Sequence, residues 1–310
     1  MLSILIVNWN TRDLLRACLL SLQQACAAIE HEIIVVDNAS ADDSAPMVSD
    51  EFPDVKLVAN TDNRGYARGN NQAFAASRGE WIWLLNPDTE VLDDAPQELI
   101  RFLESHPQCG AVASALIDAR DGQPQRSCRT FPTPSALWAE ASGLARTFPR
   151  SRCFGFYRMG WWNMKSARQV EQPMASSLML RRQAVEDAGG LFDEQFPIFF
   201  NDVDLSWRMA RARWATWYLP SARVRHWGGA STIQARPEMI RESHRALCAF
   251  YSKHWRGTMS PLLFQATLAL ISLSGAWRVR RAQARQMQKE KSGHERRSDK
   301  SGKNIDERPA

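Results

Sequence analysis

The sequence predicts an α/β protein with a doubly wound, mostly parallel central sheet and helices on both faces. Three observations carry that expectation. Short runs rich in Ile, Leu and Val (LSILIVN, HEIIVVDN, VKLVAN) read as strands. Segments with apolar residues at helical spacing separate them, the pattern of parallel strands joined by crossover helices. A later run, WIWLL, is apolar at every position, as expected of a strand covered on both faces.

In order along the chain, Thr11 is placed to cap a helix whose Leu14, Leu15, Cys18, Leu19 and Leu22 share one face. The strand HEIIVVDNAS follows and ends in Asp37, and VKLVAN is the third strand. After the glycine-bearing turn NRGYARGNNQ, a helix spans about Tyr66 to Ser77, and WIWLL comes next. Asp94 and Pro96 open the helix APQELIRFLESH, and AVASALI is a further strand. From Asp118 to Gln172 periodicity fades among Pro124, Pro132, Pro134, Pro149 and the pair Trp161-Trp162. A stretch that long without a period is functional or mobile rather than idle connection. Then come the strand ASSLMLRR, the helix RQAVEDAGG, the loop and helix FPIFFNDVDLSWRMARAR, and two strands, TWYL and ARVRH. No internal repeat is present.

The apolar stretch at 258–277 is at the lower edge of spanning length and carries Gln265, Thr267, Ser272 and Ser274. Its flanking arginines and Trp277 suit a helix lying in a membrane interface, and an ordinary helix packed on the domain fits the same pattern. Residues 278–310 are basic and poor in apolar groups, so a mostly disordered tail is expected there, suited to an anionic membrane surface or to solubility alone.

The 310 residues are 44% hydrophobic and 24% charged, with a net charge of +5, which is a globular composition. Cys18, Cys26, Cys109, Cys128, Cys153 and Cys248 are scattered without a CxxC pair, which argues against a zinc site or a disulfide framework. The first residues lead straight into a strand with no basic leader or cleavage site, so a cytoplasmic protein, peripheral on the inner membrane at most, is expected. The positive charge forms a tail rather than a recognition module, so no nucleic-acid partner is expected.

Polar clusters recur where strands end: Asn8-Trp9-Asn10, Asp37-Asn38, Asn86-Pro87-Asp88 and His226. Another, Asn201-Asp202-Val203-Asp204, opens a helix. Any one of these taken alone is a turn, a cap or a packed side chain. Together, at the carboxyl ends of parallel strands, they converge on the topological switch point where open α/β sheets bind ligands.

VNWN, VVDNAS, NRGYARGNNQA, LLNPDTEV, the block from SSLMLRR through GGLFDEQFPIFFNDVDLSWR, and RHWGGAST resemble family 2 glycosyltransferases. The resemblance is to rhamnosyltransferase-like members that build bacterial surface polysaccharides, and it covers about Ser3 to Gly257. It implies a glycosyltransferase A fold over residues 1–257, with a nucleotide-binding part at about 1–117 and an acceptor-binding part at about 118–257. It implies further that Asp37 accepts the imide N–H of uracil or thymine, that Asn8 at the end of the first strand flanks the base, and that Asn86 lies near the ribose. Asp88 would hold Mg²⁺ or Mn²⁺ across the two phosphates, with His226 as a second ligand. Arg64 and Asn70 would lie beside the nucleotide, with Arg64 or Arg68 facing phosphate. Asp202 would be the general base of a single inverting displacement.

The implied reaction moves a sugar from a pyrimidine nucleotide sugar, dTDP-rhamnose being one such donor, to a lipid-linked or polysaccharide acceptor. The family's acid pair before Val203 is here Asn201-Asp202, which puts acceptor geometry in question. Asp204 and Arg208 are four apart and are expected to form a helix-surface pair worth about 0.2–0.5 kcal/mol. Two other readings stay open. A nucleotidyltransferase would need a glycine- and basic-rich loop after the first strand, which VNWNTRDLL lacks. A catalytically degenerate nucleotide binder is favoured only by Asn201.

Overall fold

The computed structural model describes residues 1–228 and 236–302. Its elements are β1 (Leu2–Asn8), α1 (Arg12–Ala25), β2 (His31–Asn38), α2 (Ser44–Glu51), β3 (Lys56–Asn60), α3 (Gly65–Ala76), β4 (Trp81–Leu85), β5 (Thr89–Val91), α4 (Ala95–Ser105), β6 (Cys109–Asp118) and β7 (Cys128–Arg129). There follow α5 (Pro134–Ala141), α6 (Leu144–Thr147), β8 (Arg168–Val170), β9 (Gln172–Pro173), β10 (Ser177–Arg181), α7 (Arg182–Asp187), α8 (Asn201–Arg211), β11 (Ala215–His226), α9 (Arg236–His254) and α10 (Pro261–Gly302). They form two compact units, Met1–Ser231 and Thr232 onward.

In the first unit the strand order is β3-β2-β1-β4-β10-β6-β11-β5, with β8 added beside β11. β1, β2, β3 and β4 run parallel to one another, and β6 runs parallel to β11. β10 lies antiparallel between β4 and β6, so those two strands also share a direction. The carboxyl ends of β1, β2, β4, β6 and β11 therefore meet along one edge, and β10 begins there. β1 leads outward to β2, whereas the chain returns from β3 through α3 to β4 on the other side of β1. The switch point thus falls between the ends of β1 and β4.

The strands are apolar throughout because successive side chains feed two cores. Ile4, Ile6, Val35 and Trp83 pack with Leu15, Leu19 and Leu22 of α1 and Leu99 and Leu103 of α4. Leu5, Val7, Ile34 and Val36 face the other way, toward Ala67 and Ala73 of α3, Val185 of α7, and Leu205 and Met209 of α8. Gly69 is where α3 closes on β1, since a Cβ there would lie 2.8 Å from Val7 Cγ1. Thr11 precedes α1 but makes no side-chain cap; its hydroxyl donates to Asn8 Oδ1 at 2.6 Å. TWYL and ARVRH belong to one strand, because register shifts in β11 between Leu219 and Arg223 accommodate Pro220, which cannot donate to the ladder. The aperiodic stretch builds a third small core around Cys128, Met159, Trp162 and Tyr218, and Trp162 meets Tyr218 edge-on at 5.1 Å.

The first unit stops at Ser231, and the second joins α9 to α10, its packing partner. Ala246, Phe250 and Tyr251 of α9 and Phe264, Thr267 and Ile271 of α10 are buried. The basic stretch from Arg278, expected to be disordered, continues α10 as far as Gly302, in keeping with its many Arg, Lys, Gln and Glu residues, which are strong helix formers. Residues 303–310 and the Gly229–Thr232 portion of the RHWGGAST motif lie outside the described residues. Pro261–Ala284 is long and apolar enough to cross a membrane by length and composition, and 28% of its most apolar 18 residues are buried.

Candidate active site

The antiparallel pairing of β5 with β11 places Thr89 opposite His226 and Glu90 opposite Arg225. The turn at Asn86-Pro87-Asp88 is thereby laid against the end of β11, where the Trp227 amide donates to the Asp88 carbonyl at 3.1 Å. Glu90 is spent on an ion pair with Arg225. Asp88 Oδ1 and His226 Nε2 lie 3.5 Å apart, and both residues are buried.

Gln125 orients the ring. Its Nε2 donates to the His226 carbonyl at 3.1 Å, which turns its Oε1 toward His226 Nδ1 at 2.8 Å. Nδ1 then carries a hydrogen, and Nε2 is the ring nitrogen on the side of the carboxylate. A separation of 3.5 Å lets both reach one cation about 2.1 Å from each. No set of three His, Cys, Asp or Glu side chains with metal-binding geometry occurs among the described residues, so the protein offers a two-ligand half-site. That suits a cation whose remaining ligands are phosphate oxygens and water.

Asn86 is tied to the start of β10: its amide donates to the Ser176 carbonyl at 3.0 Å and its Nδ2 to Ser176 Oγ at 3.1 Å. Its Oδ1 is buried with no hydrogen-bond partner. Such an acceptor is costly to leave unmade, and a ribose hydroxyl would satisfy it.

Asp202 reaches the same edge from the first turn of α8. Phe200, just before the helix, has φ +68, a left-handed conformation costing about 1–2 kcal/mol in a bulky residue. That turn sets the angle at which α8 starts. Asn201 explains itself in structural terms: it is buried, its Nδ2 donates to the carbonyls of Ile198 (3.0 Å) and Phe196 (3.4 Å), and its Oδ1 accepts the Asp202 amide (2.8 Å). A carboxylate could not make the two donations. Burial pushes the Asp202 carboxyl above its ordinary value, against the opposing hydrogen bonds from the Val203 and Ala175 backbone and the charge of Arg129. Ala175 is next to Ser176, so one dipeptide links Asp202 to Asn86. The Tyr66 phenol, raised first by burial, is raised further by the charges of Asp202 and Asp88, which places both carboxylates within electrostatic range of one side chain.

On the other side of the switch point, Asn8 Nδ2 donates to Asp37 Oδ1 at 2.8 Å, joining the paired ends of β1 and β2. Ser40 donates its hydroxyl to Asp37 Oδ1 at 2.6 Å and its amide to Oδ2 at 2.9 Å. Oδ2 therefore retains acceptor capacity for one more donor. Arg64 and Asn70 make local contacts. Arg64 Nε lies 3.1 Å from Asp62 Oδ1, and Asn70 donates to the Tyr66 carbonyl one turn back at 3.0 Å. Arg68 lies 3.9 Å from Glu194 in an exposed pair.

The structure thus brings Asn86, Asp88, His226 and Asp202 to one edge and joins Asn8 to Asp37. Tyr66, Gln125, Ser176 and Arg129 are additions that residue type alone did not reveal. Tyr66 lies within the motif NRGYARG, whereas Gln125 comes from the aperiodic stretch and carries no sequence signal.

A mixed sheet with its polar residues at the switch point, flanked by helices on both faces, defines a glycosyltransferase A fold. Residues 3–166 match the profile of glycosyl transferase family 2, and the chain belongs to that family. It is 28% identical over 255 residues to N-acetylglucosaminyl-diphospho-decaprenol L-rhamnosyltransferase of Mycobacterium tuberculosis, covering 77% of this chain and 81% of that one. Among solved structures it is similar to a mannosyltransferase of Pyrobaculum calidifontis in complex with GDP-Man and Mn²⁺, at TM-score 0.55 and 18% identity, covering 91% of this chain and 73% of that one. It is also similar to TarS (residues 1–349) of S. aureus in complex with UDP-GlcNAc, at TM-score 0.54 and 14% identity, covering 87% and 71%. The nucleotidyltransferase reading gives way to family membership; the chain is a glycosyltransferase.

Proposed function

We propose that this glycosyltransferase moves a sugar from a pyrimidine nucleotide sugar, with dTDP-rhamnose the leading donor, to a hydroxyl of a lipid-linked or polysaccharide acceptor, inverting the anomeric centre. The observation that carries the reading is the convergence of the Asp88–His226 pair and Asp202 on one sheet edge, linked through Asn86 and residues 175–176. The relative named as a rhamnosyltransferase acting on a diphospho-decaprenol supports the donor and acceptor classes.

Asp37 Oδ2 accepts the imide N–H of the base, and Asn86 Oδ1 accepts a ribose hydroxyl. Asp88 and His226 would hold Mg²⁺ or Mn²⁺, which would supply charge stabilisation for the departing diphosphate. Asp202 takes the proton of the acceptor hydroxyl as it attacks. One displacement needs no covalent sugar–enzyme intermediate, so the product anomer is inverted. The work is done at the cytoplasmic face of the inner membrane, with α10 lying in the interface. Leu262, Leu273 and Trp277 of α10 are 86%, 71% and 60% exposed, which supports that attachment.

The test is transfer from a panel of radiolabelled dTDP-, UDP- and GDP-sugars to lipid-linked acceptors, with purified protein and Mn²⁺. Metal-dependent transfer from a thymidine or uridine donor is expected, and an absence of transfer from every donor would sink the reading. A separate readout concerns the ring-holding amide. Gln125→Leu removes the acceptor that fixes the His226 tautomer and is expected to weaken Mn²⁺ binding about 10- to 100-fold. Electron paramagnetic resonance of free Mn²⁺ in the presence of nucleoside diphosphate checks it, and an unchanged affinity would leave Gln125 a bystander.

A further inference from the structure

Half of the exposed large hydrophobic residues described in the first unit fall in one helical hairpin. Trp138 on α5, Leu144 on α6 and the adjoining Phe148 are 42%, 38% and 51% exposed; the others are Met1, Trp9 and Leu20. The Phe148 amide donates to the Leu144 carbonyl at 2.9 Å, so these two side chains lie one turn apart on the same face. Ala136 and Ala145 are the buried anchors of the two helices. The loop after α6 is tightly folded: a Cβ at Gly155 or Gly160 would lie 2.3 or 2.1 Å from the Pro149 carbonyl oxygen. Phe148 is therefore displayed from a built turn.

The charge of this surface is net positive, with Glu140 its one acidic residue between Pro134 and Arg158. From Gly143 to Arg158 there are four arginines and no acidic residue. Arg158 is neutralised by Glu140 at 2.6 Å, and Arg152 stacks over Trp161 at 5.0 Å. Arg146 and Arg150 are exposed and form no ion pair among the described residues.

We infer that the α5–α6 hairpin is a second membrane-contact surface, carried by the catalytic unit itself, in which Trp138, Leu144 and Phe148 enter the headgroup region of an anionic bilayer and Arg146 and Arg150 bind lipid phosphates. Large apolar side chains interleaved with unpaired cations are the composition of interfacial segments. Tryptophan suits the headgroup level, where its ring is half wet. An anionic lipid surface supplies the negative partners that Arg146 and Arg150 lack among the described residues. The inference does not depend on the transfer reaction, because binding to vesicles is read without a donor. It is also separate from α10, which belongs to the second unit.

Cys153 provides a local probe: it is exposed, four of the other cysteines are buried, and Cys248→Ser removes the half-buried fifth. A polarity-sensitive fluorophore on Cys153 of the full chain is mixed with phosphatidylglycerol/phosphatidylcholine vesicles or with phosphatidylcholine vesicles alone. The expected result is a blue shift with the anionic vesicles only, quenched by lipid-borne nitroxide. In unlabelled protein, Arg146→Gln and Arg150→Gln are each expected to lower the vesicle partition coefficient about fivefold. Co-sedimentation with anionic vesicles without a shift at Cys153 would assign the contact to another surface and overturn the proposal. So would an unchanged partition coefficient in the double variant, or an equal shift on neutral vesicles.

Discussion

Asp202→Asn is expected to abolish sugar transfer while leaving the folded protein at least as stable as the parent at neutral pH. The kinetic half follows from the role proposed for the carboxylate. An amide of the same shape cannot accept the acceptor hydroxyl's proton, and loss of a general base costs about 10²- to 10⁴-fold in rate. Donor binding, read by calorimetry with nucleoside diphosphate and Mn²⁺, is expected to persist, because Asp88, His226 and Asp37 are untouched. The thermal half follows from burial, which raises the Asp202 pKa in the folded state. Below the ordinary carboxylate value both folded and unfolded chains hold the proton, and the group costs nothing. As pH rises from there through the raised folded value, the unfolded chain ionises more readily than the folded one, and stability falls. The amide never ionises, so the variant should melt at a higher temperature than the parent above that window. The same shift places the acid limb of the parent's rate profile above the ordinary carboxylate pKa, since the base must be ionised to act. A variant that melts lower and binds donor poorly would make Asp202 a structural residue. A variant that keeps its turnover would end its candidacy as base. A purely nucleotide-binding protein would show no turnover to lose.

The main strands and the polar groups at their ends were legible from the chain because each depends on local pattern. Apolar runs, helical spacing and the punctuation of Asn, Pro and Asp are visible one residue at a time. What could not be read depends on pairing between distant segments. The three-residue β5 is too short to have a period, yet its antiparallel pairing to β11 is what sets Asp88 beside His226 and consumes Glu90 on Arg225. Gln125 looked like a loop residue and turns out to hold the imidazole. Thr11 looked like a helix cap and instead bonds Asn8, because the buried amide at the end of β1 competes for its hydroxyl. Asn201 was ambiguous as a missing acid; its two donated hydrogen bonds identify it as the tie that holds the turn before Asp202. The basic run after Arg278 pairs low apolar content with high helix propensity, two signals that pull in opposite directions, and it continues α10 as far as Gly302.

The Asp204–Arg208 pair is the largest revision of magnitude, and it yields the second expected result. Four-residue spacing on a helix suggested a surface pair worth about 0.2–0.5 kcal/mol. In the structure Asp204 is fully buried, and Arg208 Nε donates to its Oδ2 at 2.7 Å. Arg208 Nη1 also donates to the carbonyls of Ala188 and Gly190 at 2.7 Å, and Nη2 to that of Leu191 at 2.6 Å. The guanidinium thus pins α8 to the chain leaving α7, where Gly189 and Gly190 have positive φ and Leu191 enters the core. Removing either member leaves a buried charge or a set of carbonyls without their donor, so Arg208→Ala or Asp204→Ala should cost about 3–5 kcal/mol. Chemical denaturation measures this as a lowered midpoint. Where a single variant unfolds during purification, the double replacement Asp204→Leu with Arg208→Met separates charge burial from packing. It removes both charges but also the donor to three carbonyls, so it should be less destabilised than the sum of the single changes, with a coupling energy well above the surface-pair value. Additive losses would return the pair to the ordinary helix surface. Because α8 carries Asp202 in its first turn, a variant that still folds is expected to lose turnover well before donor binding, as the proposed base drifts while the β5–β11 pairing keeps Asp88 beside His226.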